Sequence, residues 1–108
     1  MIVEIVEAKS ISEIAPGRCR LAFDAYWNGK LEPQYFLWSC PVCGHAWSGW
    51  LVGPKSSPFT HVWMLAGSRE RPTLSPSMVC AMARPEVANG RPLCSGHGFI
   101  SNGEWIGA

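Results

Sequence analysis

Phe36-Leu37-Trp38-Ser39-Cys40-Pro41-Val42-Cys43-Gly44-His45-Ala46-Trp47-Ser48-Gly49-Trp50-Leu51-Val52 is two aromatic-rich runs joined by a Cys-x-x-Cys-Gly turn. Runs of this length, rich in Phe, Trp, Leu and Val, read as strands. Two thiolates three positions apart on a tight turn can both reach one tetrahedral ion at about 2.3 Å. Gly44 permits a positive φ, which turns backbone amides inwards. Amide donors stabilise paired thiolates that otherwise repel. The stretch therefore predicts a metal knuckle between residues 34–39 and 45–52, as in a zinc-ribbon hairpin.

The second half of the predicted site is Cys94-Ser95-Gly96-His97-Gly98, with the same three-residue offset and a strand to follow. The expected ligands are Cys40, Cys43, Cys94 and His97, holding one Zn2+. Four good donors, three of them soft, predict a closed structural site, since a catalytic zinc keeps a position open. Cys80 is a rival for Cys94 or His97, and His45 adjoins the knuckle. Two other readings compete: a reduced, buried cysteine pair without metal, and a redox Cys-x-x-Cys, which calls for a βαβ setting that is not visible. Cys19 falls in an alternating run and reads as core. A deaminase is excluded, because no His-x-Glu occurs.

Outward from the knuckle, the pattern stays β. Residues 2–7 and 19–27 read as strands, the latter with Leu21, Phe23, Ala25 and Trp27 on one face and Asn28-Gly29 as a turn. Residues 8–18 read as a short helical turn or loop ended by Pro16-Gly17. Residues 61–66 are a further strand. Residues 71–77 are extended, because residues before proline are pushed out of the helical region, and 78–82 continue as a short strand. Residues 53–60 and 83–93 read as loops. Asn102-Gly103 is the strongest hairpin signal, between 97–101 and 104–107. No long segment has helical periodicity. The expected fold is mostly β: a small zinc-ribbon-like antiparallel domain with hairpins and little helix, with 1–108 as one domain.

Composition narrows the function. Of 108 residues, 47% are hydrophobic and only 16% charged, which suits a globular chain. Nine Lys and Arg against eight Asp and Glu leave no basic surplus for a dedicated duplex binder. No run approaches the roughly 20 apolar residues of a membrane span. The N-terminal stretch has early glutamates and no basic region, unlike a signal peptide. A cytoplasmic protein follows, where clustered cysteines are more often ligands than disulfides. The five cysteines are also an odd number. Six tryptophans supply core, and some of them could present a platform to a partner. Asp24, Glu32, Glu70, Glu86 and Glu104 form no spaced acid–base pair. Ser75 and Ser77 flank Pro76 without a nucleophile elbow, and His61 reads as a strand-edge residue.

The run 36–44, then Pro72-Thr73-Leu74-Ser75-Pro76-Ser77, then Cys94-Ser95-Gly96-His97-Gly98-Phe99-Ile100 with Gly103, resembles a family of small phage and prophage proteins, some labelled ammonia-monooxygenase-like. The resemblance covers residues 36–105. It implies a zinc-binding phage or prophage protein and does not imply an enzyme. The expected function is a non-enzymatic binding module that engages a protein partner, either a virion component or a host defence protein, through loops 53–60 and 83–93 and exposed tryptophans. One alternative is a nucleic-acid-binding zinc ribbon using Arg18, Arg20, Arg69, Arg71, Arg84 and Arg91. Another is a small metal-dependent hydrolase, which requires an open coordination position.

Overall fold

A computed structural model describes residues 1–24, 33–51, 62–80 and 94–108. The expected loops 53–60 and 83–93, the Asn28-Gly29 turn, Ala25, Trp27 and His61 lie outside the described residues.

Among them, eight strands follow chain order across one sheet. They are β1 (Glu4–Ile5), β2 (Arg20–Phe23), β3 (Tyr35–Ser39), β4 (Ala46–Leu51), β5 (Val62–Gly67), β6 (Pro72–Val79), β7 (His97–Ser101) and β8 (Glu104–Gly107). The fold is mostly β, as expected, with hairpins and one short 3-10 helix, Ala8–Ser12. The β1–β2 and β4–β5 pairs are parallel. The other neighbouring pairs are antiparallel.

The sheet curls until its two ends meet. Ile2 bridges Glu104. The Val3 amide donates to the Gly103 carbonyl at 2.9 Å, and the Trp105 amide to the Met1 carbonyl at 2.7 Å. Closure satisfies the edge groups that an open sheet would leave free.

Alternation decides what fills the interior. On β3, Phe36 and Trp38 are buried. On β7, Gly98 and Ile100 are buried while His97, Phe99 and Ser101 face outwards. Trp38 stacks on Trp105 with ring centroids 5.5 Å apart, and its indole N–H donates to Cys19 Sγ at 3.4 Å. Phe36 meets Trp63 edge-on at 5.4 Å. Gly49 lies beneath Phe36, and a Cβ there would strike that ring. Trp38, Trp47, Trp63 and Trp105 thus belong to the interior or pack against it. Trp50 stays exposed, edge-on to Tyr35.

Both faces of β2 are covered, because the 3-10 helix packs on β2 and β3 from outside and buries Ile11. Arg20 fastens it there. Its guanidinium donates to the carbonyls of Ser10 and Glu13, both at 2.6 Å, and to Ser39 Oγ at 3.1 Å. The residue is only 3% exposed.

The strand expected at 2–7 is shorter, because only Glu4 and Ile5 pair with β2. The extended segment at 71–77 and the short strand after it are one strand, β6. Its pairing with β7 slips between Leu74 and Met78. Pro76, which lacks an N–H, falls in this irregular stretch, where a ladder bond is not required. Ser77 sits beside it.

A cysteine cluster and a serine–histidine pair

The knuckle turn forms as its sequence dictates. The Gly44 amide donates to the Cys40 carbonyl at 2.8 Å, and the Cys40 amide to the His45 carbonyl at 2.9 Å. Gly44 has φ +80°, and a Cβ there would lie 2.5 Å from the Pro16 nitrogen. Only glycine meets both conditions.

From the far side, the end of β6 brings Cys80 and the approach to β7 brings Cys94. The Cys80 amide donates to the Gly96 carbonyl at 2.8 Å, which ties these two segments together. The Sγ atoms of Cys40, Cys43, Cys80 and Cys94 all lie within 4.8 Å of one another. Cys40 and Cys94 are 3.6 Å apart, and Cys43 and Cys80 are 3.5 Å apart. Four sulfurs at about 2.3 Å from a tetrahedral centre stand about 3.8 Å apart, so the donor set could hold one metal ion such as zinc.

N–H donors point at the sulfurs. Among them are Val42 to Cys40 at 3.4 Å, Gly96 to Cys94 at 3.2 Å, and the Trp47 indole to Cys80 at 3.2 Å. Gly96 is enclosed by the cluster, and a Cβ there would strike Cys40 Sγ and crowd Cys94 Sγ at 3.2 Å. Burial pushes the Cys40 thiol up to about 11. Burial acts the same way on Cys43, but hydrogen bonds from the backbone and side chain of His45, and from Cys80 and Cys94, bring it down to about 7.

Cys40, Cys43 and Cys94 from the expected ligand set are therefore brought together, and Cys80 completes the group. His97 stands outside it. As the first residue of β7 it faces outwards, and its Nε2 lies 3.1 Å from Ser77 Oγ on β6. Val79, two residues beyond Ser77 on the same side of the strand, is the register partner of His97. The Trp63 indole N–H donates to the Ser77 carbonyl at 3.3 Å. Among the described residues, no carboxylate is hydrogen-bonded to His97. Cys19 is buried core, as expected, and burial pushes its thiol up to about 11. His45 Nδ1 is buried.

Sequence reading passed over Ser77 because no elbow motif surrounds it, and a serine on an irregular strand carries no local signature. One signal was available: Cys80 completes a four-cysteine set without His97, which frees the imidazole for other work.

A hydroxyl in hydrogen-bond contact with an accessible imidazole, on a small β scaffold, places the molecule in the class of candidate serine hydrolases. The chain belongs to the BubE family. The model of that family, described as "Bacterial ubiquitination-like system serine protease (BubE)", matches residues 12–108. No curated protein and no solved structure matches the chain.

Membership overturns three expectations. The resemblance to phage and prophage proteins rested on residues 36–105, whereas the bacterial family accounts for nearly the whole chain. A phage or viral assignment falls with it. The non-enzymatic binding module also falls, because the family is described as one of serine proteases. Of the arginines in the nucleic-acid reading, Arg20 is buried on carbonyls and Arg18 makes a two-pronged ion pair with Glu4, while Arg84 and Arg91 lie outside the described residues. No helix among the described residues is long and apolar enough to cross a membrane.

Proposed function

We propose that this chain is a serine protease in which Ser77 is the nucleophile and His97 its general base. The observation that carries the reading is the 3.1 Å contact between Ser77 Oγ and His97 Nε2. That distance is within proton-transfer reach. The family description adds the bond cleaved, a peptide bond within a ubiquitination-like system.

The chemistry follows from these two groups. As Ser77 Oγ attacks the carbonyl carbon, its proton passes to His97 Nε2 and the carbonyl π pair moves onto oxygen. Collapse of this adduct breaks the C–N bond, and the departing amine takes the proton from His97. An ester on Ser77 remains. Water then attacks it, losing a proton to His97, and the Ser77 hydroxyl is restored. The Trp63 hydrogen bond to the Ser77 carbonyl fixes the main chain that carries the nucleophile.

We further propose that Cys40, Cys43, Cys80 and Cys94 hold a structural Zn2+. Thiolate sets favour zinc among the common divalent ions, and four sulfurs leave no open position for substrate. When bound, zinc supplies cross-linking between the knuckle and the ends of β6 and β7. Cys80 lies three residues after Ser77, and Cys94 three before His97. The cross-link therefore sets the spacing of the pair.

The test is labelling with a fluorophosphonate, followed by peptide mass mapping. Wild-type protein gains one adduct on Ser77. Ser77→Ala gains none, and His97→Ala labels on the order of 10³-fold more slowly, with zinc content unchanged in both. Labelling that ignores Ser77→Ala and His97→Ala would sink the assignment.

A further inference from the structure

Beside the serine–histidine pair, the barrel wall opens into a cleft of about 180 Å³ lined by Phe36, Trp47, Trp63, Met78 and Val79 among others. The cause is topological. The parallel β4 and β5 are in register only at Trp50–Val62 and Leu51–Trp63. Ahead of that pairing, Trp47 and Ser48 of β4 face the end of β6 across a gap. Among the described residues that line it, none is charged and Ser48 carries the single hydroxyl. The volume is well below the roughly 300–1,000 Å³ of small-molecule pockets and suits one large side chain.

Two contacts join this cleft to the proposed active site. Trp63 forms part of its wall and also donates to the carbonyl of Ser77. Val79 forms another part, lies about 7 Å along the strand from Ser77, and is the register partner of His97. A substrate whose carbonyl carbon sits over Ser77 Oγ would therefore have its nearest acyl-side side chain over the cleft.

We infer that this cleft is the specificity pocket for the residue contributing the scissile carbonyl, and that it selects a large apolar side chain such as Leu or Phe. The inference rests on Ser77 being the nucleophile. Burying such a side chain between indole rings removes apolar area from water, whereas a carboxylate or ammonium would lose hydration with no partner.

The experiment uses aminoalkyl diphenyl phosphonates whose side chain is methyl, isobutyl, benzyl or carboxymethyl. Reaction forms an Oγ–P bond and breaks a P–O bond, and phenol leaves with the proton relayed by His97. The rate of Ser77 modification is read by intact mass. The isobutyl and benzyl compounds should react at least about tenfold faster than the methyl one, with the carboxymethyl compound slowest. In Val79→Phe, and independently in Ser48→Trp on the opposite wall, the benzyl-to-methyl ratio should collapse towards one. Equal rates across the series with Ser77 still modified, or unchanged ratios in both variants, would overturn the pocket while leaving the serine reading intact. Failure of every compound and of a fluorophosphonate to modify Ser77 would remove both.

Discussion

His97 shows how one side chain can be claimed by two chemistries. Its three-residue offset from Cys94 is metal-ligand spacing, yet its strand position turns the ring outwards to Ser77. The two roles separate by mutation. Cys80→Ser should lose the metal, whereas His97→Ala should keep it, as read by elemental analysis of purified protein. Gly96→Ala should also weaken metal retention, because its methyl would strike Cys40 Sγ. A tighter-binding Gly96→Ala would show that the cluster is looser than it stands here. Cys19 has a different task. Its thiol is raised from about 9 in the unfolded chain to about 11 by burial. The sign follows from which form folding favours, and here it is the neutral thiol. That contribution is complete below about pH 9 and is lost as pH climbs through about 11. Denaturation followed against pH should show wild type losing more stability across this window than Cys19→Ala does.

At the level of elements, the 3-10 helix and β6 carry the main consequences. The helix has too few residues to persist alone and depends on Arg20. Replacing Arg20 by Met strips hydrogen bonds from two carbonyls and Ser39 Oγ. About 2–4 kcal/mol of stability should go, read from urea unfolding, while Ser77 labelling in the folded protein persists. β6 was legible as extended chain from its prolines alone. Its slip against β7 was not, because register depends on which side chains of β7 fill the barrel. The Leu74–Ile100 register carried forward would set Ser77 directly opposite His97; the slip passes that partnership to Val79 and leaves Ser77 diagonal to His97, still within hydrogen-bond reach. Ser75 pairs with Met64 of β5 on the exposed side. Labelling of Ser75→Ala should match wild type, and loss of labelling there would exchange the roles of the two serines.

For the whole molecule, the cysteine cluster and the closure of the sheet act together. With a metal bound, the cluster would link the knuckle between β3 and β4 to the end of β6 and the approach to β7. A strong chelator should therefore unfold the chain and abolish Ser77 labelling in one transition, with the midpoint moving as free zinc is added back. Acid should act in the same direction, because protons compete with metal for the buried thiolates. Activity lost to chelator while near-UV circular dichroism stays native would instead mark the metal as part of the chemistry.

Strand content, the knuckle turn, the closing hairpin at Asn102-Gly103 and the burial of Cys19 were all written in local pattern, because alternation and turn chemistry act between near neighbours. Three assignments needed the folded chain: Cys80 as the fourth sulfur, the release of His97, and the meeting of His97 with Ser77. Each joins residues on different strands, and strand register is set by packing of the whole barrel. That packing is a collective property no short stretch encodes.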